Sequence, residues 1–539
     1  MGDCPDAVRS SLWTICWDEN KTEEVLVMAV TTFAAIYIGS YEVSLKIFEI
    51  SPRKRLKKID YIRSRVELGK DAYTQDTIGY ELVEELCKVL KEFRRIMDGY
   101  KVEAYAAFAG SVLRNVSNAP FILDQIRLRT KIQVQVLSNS EHRFISYMSL
   151  AFRPVFEQMI QEGAAVVDVG GGSMQITLFQ KGKAKTTQQI VLGTMRIREK
   201  LSGIEAMVAH YETQIQEMVD KELEIFKNLY LPIKKGIKYV IVMGDYLDEL
   251  MKGVERRTTD GAIETERFIK ALKKLQKKNA SEISSELNLP NEHDPLIIPS
   301  IVLFKRLAEE IDADYIWVSG TNISDGIAYD YAQKSRILKP EHSFEEDVLS
   351  SARFLAERYQ SYSRHTEALV EMTTTIFDAL KGVHGLSKRE RLLLQAAALL
   401  HDCGSYISRV NQSECSYQII MASEIIGLTH QERQIIACVV RYASNPLVSY
   451  EEIMDKVDAT GYMVVAKLAA ILKIANAMDR SHKQKFKNIK AVLKEKQLLI
   501  TIESRESILL EKELFSVYAD AFERVFSVKP CIREKRVLN

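Results

Sequence analysis

The sequence lacks three features that would set it apart from an ordinary globular protein. Its seven cysteines are scattered, odd in number and form no C-x-x-C pair, which argues against a disulfide framework or a zinc cluster and fits reduced thiols in a cytosol. The net charge is only +1, so no overall attraction to nucleic acid or a membrane surface is expected. No run reaches the roughly twenty apolar residues of a membrane span. We therefore expect a cytoplasmic protein with no membrane or nucleic-acid partner.

The length and composition predict several domains. A chain of 539 residues is too long for one hydrophobic core, and its 46% apolar and 27% charged residues are those of an ordinary globular protein. The first 27 residues show no apolar periodicity and carry several acids, unlike a signal peptide. We interpret residues 1–27 as a disordered extension upstream of a strand-first domain that begins near Met28.

A glycine cluster between two apolar runs is the most informative stretch. Ala164–Phe179 reads AAVVDVGGGSMQITLF, which predicts two strands joined by a glycine turn. Consecutive glycines leave the N–H groups of Gly170, Gly171 and Gly172 unshielded, and such amides form a concave site for an anion. Asp168 would supply a carboxylate beside that anion, typically to hold Mg²⁺. The Asp-x-Gly-Gly-Gly-Ser context favours a phosphate site over a plain glycine-rich turn.

The pattern of strand, small-residue turn and strand occurs twice in the chain. Phe33–Ile38, a Gly-Ser turn and Val43–Ile50 form the first copy, and the glycine-rich hairpin opens the second. Helix and strand patterns alternate after each copy, which indicates an α/β fold. The repetition predicts a duplicated, two-lobed core with a ligand cleft between the lobes. We assign residues 28–145 to the first lobe and 146–335 to the second.

The composition changes to helices after Pro340. A capping-box sequence from Ser387 to Glu390 begins an alanine-rich helix that ends at His401, and helical patterns continue to about Ser481. We assign residues 341–485 to an all-α helical domain. Residues 486–539 read as strand, strand, helix and strand, and are assigned to a small C-terminal α/β domain.

These motifs, in this order and spacing, resemble the exopolyphosphatase and guanosine-pentaphosphate phosphohydrolase family (Ppx/GppA) of the actin-like ATPase superfamily. The resemblance runs from about Phe33 to Asn539. Its anchors are the DVGGGS hairpin, the segment Ser111–Arg114 with Asn118 four residues on, and IGS at 38–40. It implies a duplicated actin-like (RNase H-like) two-lobed α/β core, an all-α HD-like domain, a small α/β C-terminal piece and a homodimer.

The resemblance also implies a reaction and a site. Family members remove the terminal phosphate from inorganic polyphosphate or guanosine pentaphosphate with water and Mg²⁺. Arg114 matches the residue that pairs with phosphoryl oxygens, where a planar guanidinium suits bidentate contact. Asp168 matches the residue that holds Mg²⁺ or the attacking water. The matching phosphate-binding residues are Gly39, Ser40, Arg114, Gly170, Gly171, Gly172 and Ser173.

The carboxylates of the family pattern are mostly replaced in this chain. The Asp before the first glycine turn is Tyr37, and the Glu two residues past the GGGS is Gln175. The catalytic Glu falls on His142, with Glu141 adjacent. Further departures are Tyr41, Glu42, Gly244-Asp245-Tyr246 and Ser324-Asp325-Gly326. The resemblance is therefore to a member with a divergent active site.

Two accounts of this divergence stay open. In the first, the protein is an impaired hydrolase whose catalytic residues are Arg114, Glu141, His142, Asp168 and Gln175. His142 or Glu141 is then the general base and Asp168 alone positions Mg²⁺, since a histidine with a pKa near 6.5 can act as a base at neutral pH. In the second, the protein is an inactive sensor that binds polyphosphate or a guanosine polyphosphate. ATP hydrolysis ranks third, because no adenine-binding signal is readable.

The helical domain carries residues that match HD-type metal ligands. They are His365, His401, Asp402 and Asp479. The positions where further histidines would fall are Gln412, Glu414 and Ala443. A metal site is therefore a second hypothesis, and a buried polar cap around His401 and Asp402 is favoured over it.

Overall fold

The computed structural model describes residues 30–536 with short gaps. The gaps are residues 53–54, 202, 204–210, 232–235, 245–246, 253, 255–260, 290–293 and 340–341. The expected extension at 1–27 lies outside the described residues, as do Asp245 and Tyr246. The chain divides into two compact units, residues 1–182 with 188–342, and residues 183–187 with 343–539. The two lobes expected from the sequence belong to the first unit, apart from residues 183–187.

The first lobe is built on a five-stranded sheet. Its elements are β1 (Thr31–Ile38), β2 (Glu42–Ser51), β3 (Arg55–Arg65), α1 (Leu68–Ala72), α2 (Tyr80–Gly99), β4 (Ala104–Ala109), α3 (Ser111–Arg114), α4 (Ala119–Thr130), β5 (Val134–Val136) and α5 (Asn139–Ala151). The order is β3-β2-β1-β4-β5, antiparallel from β3 to β1 and parallel from β1 to β5. Gly39 makes the turn between β1 and β2, where a Cβ would lie only 2.9 Å from the Glu42 carbonyl oxygen. The predicted hairpin and its small-residue turn are confirmed.

The second lobe repeats this sheet. Its elements are α6 (Pro154–Glu162), β6 (Ala164–Val169), β7 (Met174–Gln180), β8 (Lys183–Ile190), α7 (Thr194–Leu201), α8 (Tyr211–Tyr230), β9 (Tyr239–Gly244), α9 (Leu247–Leu250), β10 (Ile263–Glu264), α10 (Thr265–Leu275), α11 (Ala280–Leu287), α12 (Asp294–Ile311), β11 (Tyr315–Val318) and α13 (Ile323–Lys334). The order β8-β7-β6-β9-β11 matches that of the first sheet, and β10 adds an antiparallel edge strand. Strand β6 pairs antiparallel with β7 and parallel with β9. The α/β two-lobed core predicted from the repeated hairpin is confirmed.

Helix α13 returns from the second half of the chain to the first sheet. It packs on β1, β2 and α5, where Ile327 and Tyr331 share a core with Phe33 and Phe48. The rings of Phe33 and Tyr331 stack at 4.3 Å. The packing therefore differs from a simple lobe division at residue 145, which falls inside α5. The first turn of α13 faces the cleft between the lobes as a result.

The second unit packs its helices and its sheet around one core. Its elements are α14 (Phe344–Arg358), α15 (Ser363–Ala379), α16 (Lys381–His384), α17 (Lys388–Leu400), α18 (Gln412–Ala422), α19 (His430–Ser444), α20 (Ala459–Met478), β12 (Lys487–Lys494), β13 (Gln497–Ser504), α21 (Leu509–Phe526) and β14 (Lys529–Arg536). The capping box predicted at Ser387 and Glu390 is confirmed. Leu498 of β13 and Phe522 of α21 belong to the same hydrophobic cluster as Leu472 of α20. The segments assigned as 341–485 and 486–539 thus share a core, and the boundary between them stays a prediction.

Helix α20 is the most apolar long helix among the described residues. By length and composition alone it could cross a membrane, and 72% of its most apolar window is buried within the protein. A helix at the centre of a globular core passes the same test. Lys467 and Lys473 interrupt its apolar residues, so it is not a continuous apolar run of about twenty residues.

Candidate active site

The two glycine turns and Arg114 surround one cavity of about 110 Å³ in the cleft between the lobes. The residues expected at the site that line it are Gly39, Ser40, Arg114, His142, Asp168, Gly170, Gly171, Gly172 and Ser173. The first turn of α13 closes another side through Asn322 and Ser324. The fold therefore brings together groups from both halves of the chain, as the duplicated hairpins suggested.

The second glycine turn is anchored mainly through its carbonyl oxygens. The N–H groups of Thr194 and Arg196 donate to the carbonyls of Gly170 (3.2 Å) and Gly171 (2.9 Å), where α7 begins. The N–H of Gly170 closes the turn by donating to the Ser173 carbonyl at 3.0 Å. Because that N–H is already engaged, Gly170 is a weaker anion donor than the sequence suggested.

Tyr73 lies between the two glycine turns, hydrogen-bonded to Ser40 of the first turn and packed against Arg196, which bonds to the second. The Tyr73 hydroxyl lies 2.5 Å from Ser40 Oγ and 3.2 Å from Ser111 Oγ, and a Cβ placed on Gly172 would overlap it. The Arg196 guanidinium packs on the Tyr73 ring at 4.3 Å and donates to the Gly172 carbonyl at 2.9 Å. Sequence reasoning missed Tyr73 and Arg196, because neither belongs to a motif and only the fold brings them to the turns.

A hydrogen-bonded cluster of neutral side chains occupies the positions of the replaced carboxylates. Gln175 Nε2 lies 3.4 Å from His142 Nδ1, and His142 Nε2 lies 2.9 Å from the Tyr37 hydroxyl. Since an amide nitrogen only donates, this arrangement puts the imidazole proton on Nε2. The Tyr37 hydroxyl sits against Gly110, where a Cβ would overlap it. Tyr37 therefore narrows the cavity without closing it.

His142 is a weak base in this setting. Burial in the cleft, together with the positive charges of the nearby Arg114 and Arg143 guanidinium groups, lowers its pKa to about 3. The ring is therefore neutral at pH 7. The ordinary pKa near 6.5 expected for this histidine therefore does not apply in the cleft.

Glu141 has a structural role at the start of α5. Its carboxylate accepts the Ser138 N–H at 2.8 Å, and the Glu141 N–H donates to Ser138 Oγ at 3.3 Å, which completes a capping box. His142, and not Glu141, lines the cavity. The suggestion that Glu141 is the general base is therefore not supported by its position.

Arg114 ends the short helix α3 with its side chain at the cavity. Its Nη1 donates to the Leu137 carbonyl at 2.6 Å, which fixes the plane of the guanidinium. A guanidinium so oriented presents several N–H donors to an anion in a fixed geometry. This position agrees with the phosphate-pairing role that the resemblance implied.

Two serines that the sequence reading did not select also face the cavity. Ser146 and Ser324 line it, and the Oγ atoms of both are buried without a hydrogen-bond partner in the described part of the chain. Ser146 follows His142 by one helical turn on α5, so the i, i+4 spacing could have identified it. Buried hydroxyls without partners are costly, and a bound ligand or water would satisfy them.

The carboxylate of Asp168 is a fitting ligand for a magnesium ion. Asp168 stands near the end of β6 and lines the cavity. Mg²⁺ is commonly held by one or two carboxylates together with water and substrate phosphates. The residues present therefore match a site with a single carboxylate ligand.

The four matching residues of the helical segment lie together but do not form a metal site. His365 Nδ1 donates to Asp479 Oδ2 at 2.8 Å, and His401 Nδ1 donates to the Ala398 carbonyl at 3.2 Å. Burial lowers the pKa of His401 to about 4. Within the described ranges, no group of three or more His, Cys, Asp or Glu side chains is arranged to hold a metal. The metal hypothesis for His365, His401, Asp402 and Asp479 is therefore corrected in favour of a buried polar cluster.

Comparison with protein-family models agrees with this geometry. The Ppx/GppA phosphatase family model matches residues 47–335, more than half of the chain. This chain belongs to the Ppx/GppA phosphatase family. A second model, Ppx/GppA phosphatase domain III, matches residues 349–518 and so spans both the helical segment and most of the C-terminal piece.

Individual relatives of this chain are distant in sequence. This chain is 20% identical over 451 residues to a guanosine-5'-triphosphate,3'-diphosphate pyrophosphatase of Photobacterium profundum, and the match covers 82% of this chain and 86% of that protein. It is 27% identical over 208 residues to a bifunctional 3-dehydroquinate synthase/phosphatase of Fusobacterium nucleatum, covering 36% of this chain and spanning only 31% of that protein. An exopolyphosphatase structure from Cytophaga hutchinsonii superposes with a TM-score of 0.50 at 19% identity, covering 56% of this chain and 98% of that one. That likeness supports the two-lobed fold.

Proposed function

We propose that the protein binds the terminal phosphoryl group of inorganic polyphosphate or guanosine pentaphosphate in the cleft and hydrolyses it slowly with Mg²⁺. The observation that carries the proposal is the single cavity lined by Arg114, Asp168 and the glycine turn at 170–172. A cation, a carboxylate and backbone amides around one space are the parts that phosphoryl transfer needs for positioning and charge neutralisation. The cytoplasmic location, expected from the composition, and the homodimer, implied by the family resemblance, stay predictions.

Each residue would contribute to one part of the reaction. Arg114 would pair with phosphoryl oxygens, and the Ser146 and Ser324 hydroxyls would donate to the oxygens that face them. Mg²⁺, held by Asp168, would supply neutralisation of the phosphoryl charge. Slow turnover follows from His142, because a group with a pKa of about 3 is a poor acceptor for the proton of attacking water.

The second candidate is binding without turnover. The cluster of Tyr37, His142 and Gln175 favours it, since three neutral groups replace the carboxylates that the family pattern places there and hydrogen-bond one another. In this form the protein would act as a sensor of polyphosphate or a guanosine polyphosphate. The two candidates share the binding step and differ only in chemistry.

Phosphate release and binding should be measured together on the full chain. With Mg²⁺ and either substrate, we expect binding and slow release of phosphate. Binding with no release would favour the sensor, and no binding of either substrate would contradict both candidates. Arg114→Ala should weaken binding by roughly 10- to 100-fold, the range for losing a charge-assisted hydrogen bond. Arg127→Ala is the matched control, because Arg127 is exposed on α4 and pairs with Asp124 at 2.6 Å.

A further inference from the structure

The C-terminal sheet has one buried face and one exposed face. Strands β12, β13 and β14 lie side by side, and helices α15 and α21 pack against β12 and β14. Leu498, Ile500 and Ile502 of the central strand β13 are fully buried, so the alternate residues of that strand point to the other side. We call these alternate residues, with their partners in the pairing register, the outer face. Its cations are Lys490, Lys494, Lys529, Arg533 and Lys535.

The pairing register places four of these cations at the corners of a rectangle. Two rows of residues run across the three strands, and each row has a cation at both ends and a neutral polar residue in the middle. The rows are Lys494, Gln497 and Lys529, and Lys490, Thr501 and Arg533. Neighbouring strands lie about 4.8 Å apart and each residue advances about 3.3 Å, so the rectangle measures about 10 Å by 13 Å.

The protein does not neutralise the four corner cations. The one carboxylate on the outer face, Glu503, pairs with Lys535 at 3.2 Å and accepts from Asn488 Nδ2 at 2.7 Å, so it is already engaged. Within the described part of the chain, the four corner side chains form no ion pair or hydrogen bond, and all four are exposed. The net charge of +1, from which no nucleic-acid partner was expected, therefore includes a local surplus of positive charge.

The spacing of these cations is complementary to the two phosphate backbones that border a groove of a nucleic-acid duplex. The cations of β12 and β14 form two columns, and the central column between them carries Gln497, Leu499 and Thr501. These central side chains are too short to reach base edges in the major groove of B-DNA, which is about 8.5 Å deep. The minor groove of A-form RNA is wide and shallow and displays ribose 2'-hydroxyls, to which the Thr501 hydroxyl and the Gln497 amide can hydrogen-bond.

Two other kinds of partner match the outer face less well. Proteins that bind single strands stack the bases on aromatic side chains, and none of the outward positions of these three described strands is aromatic. Protein–protein interfaces are depleted in lysine and enriched in aromatic residues, whereas four of the five cations of the outer face are lysines. The composition of the outer face therefore favours contacts with a phosphate backbone.

We propose that the outer face binds double-stranded RNA across its minor groove. Lys490 and Lys494 contact one phosphate backbone, and Lys529 and Arg533 contact the other. The central column faces the 2'-hydroxyls between them, with Thr501 as a hydrogen-bonding group. This inference goes beyond the proposed function and does not depend on it, because the residues involved belong to the second unit and bind the duplex without any chemical step.

The test measures binding of a labelled RNA duplex of mixed sequence to the full chain by fluorescence anisotropy. Four phosphate contacts predict a micromolar Kd that weakens about 100-fold between about 50 and 200 mM KCl. The same sequence as single-stranded RNA or as duplex DNA should bind more weakly, because neither presents the wide groove with its 2'-hydroxyls.

The variants change one column at a time. Lys490→Gln combined with Lys494→Gln should weaken duplex binding and reduce its salt sensitivity to about tenfold over the same range, because two phosphate contacts are lost. Arg533→Gln on the other edge strand should have about half of that effect on the logarithmic salt slope. Lys270→Gln combined with Lys274→Gln is the matched control, because these are also two exposed lysines four residues apart, on α10 of the first unit.

The possible outcomes separate this inference from the proposed function. The inference is overturned if the duplex does not bind at about 50 mM KCl, if the α10 control loses as much affinity as the β12 variant, or if duplex DNA binds as tightly as duplex RNA. Displacement of the RNA by poly-L-glutamate at equal charge concentration would indicate an acidic protein partner instead. Arg114→Ala should bind RNA like the parent, and a loss there would place the RNA in the cleft. Thermal unfolding confirms that each variant is folded.

Discussion

The hairpins that open the two lobes have the same topology and different chemistry. In each, a strand runs into a glycine turn and pairs antiparallel with the next strand. The second hairpin keeps the acid at its turn, Asp168, whereas the first has Tyr37 at the corresponding place. Tyr37 bonds to His142, and Asp168 lies opposite Gln175 in the strand register. The fold therefore accommodates a neutral side chain in place of a carboxylate where that side chain forms a hydrogen bond to a neighbouring residue.

The comparison shows that turn geometry and reaction chemistry are separate requirements. Gly39 is needed for the first turn because the Glu42 carbonyl leaves no space for a side chain. Nothing in that backbone requirement fixes the residue two positions earlier. A neutral Tyr37, His142 and Gln175 cluster avoids the repulsion between carboxylates in one cleft, and it gives up the groups that would bind a metal and accept a proton.

Restoring the family carboxylates is the strongest way to test this comparison. In the variant Tyr37→Asp, His142→Glu, Gln175→Glu, Mg²⁺-dependent release of phosphate from guanosine pentaphosphate should rise by about 100-fold or more, the usual contribution of a positioned base. The three acids repel one another without a cation, so the melting temperature should fall in EDTA and recover with Mg²⁺.

The control for this variant adds Arg114→Ala, which should remove the gained activity. If the restored protein is folded in Mg²⁺ and no faster than the parent, missing carboxylates are not the reason for slow turnover. The different side chains of the two hairpins would then not explain the rate of hydrolysis, although the hairpins would still share one topology.

The pH dependence of stability should reveal the neutral state of His142. Its folded-state pKa of about 3 lies below the unfolded value near 6.5, so the unfolded chain takes up the proton first. Stability is therefore lost as the pH falls from about 6.5 toward 3. Between these two values the unfolded state holds up to one more proton than the folded state, so we expect a loss of about 1 kcal/mol per pH unit. Denaturant unfolding at several pH values measures it.

The matched variants are His142→Gln, which should flatten this dependence, and His430→Gln at an exposed site, which should not. Other buried groups also titrate in this range, so the result is the difference between the two variants in how steeply the unfolding free energy changes with pH. An unchanged slope in His142→Gln would mean that the histidine is not held neutral by the cleft.

The sequence predicted those parts of the site that depend on short stretches. The glycine turns, the position of Arg114 after a small-residue turn, and the duplication all follow from local pattern. The contact between Tyr37 and His142 joins residues 105 positions apart, and the contacts of Tyr73 join loops of both lobes, so no local pattern encodes them. The shift of the His142 pKa likewise depends on tertiary burial. The capping box of Glu141 with Ser138 is, by contrast, a local pattern that the sequence already contains.

The two glycines of the second turn should differ in their tolerance of a methyl group. At Gly172 a Cβ would overlap the Tyr73 hydroxyl and approach Ser111 Oγ to 2.7 Å, so Gly172→Ala should destabilise the protein by roughly 1–3 kcal/mol. At Gly171 the neighbours are the side chains of Met195 and Ser40 at 3.3 Å, which need to shift only slightly. We expect a smaller loss for Gly171→Ala. If the two variants lost equal stability in denaturant unfolding, the Tyr73 hydroxyl would not be the contact that makes Gly172 the less tolerant position.

Glu141→Ala gives the smallest expected effect and separates a helix cap from a catalytic base. Loss of the bond to the Ser138 N–H should cost about 1 kcal/mol of stability, within the usual range for capping interactions. Phosphate release should stay within about twofold of the parent, because the carboxylate does not line the cavity. Ser138→Ala, which removes the other half of the same box, should give a similar loss of stability. A rate reduced by 100-fold, the minimum for a lost general base, in a folded Glu141→Ala protein would instead return the carboxylate to the reaction.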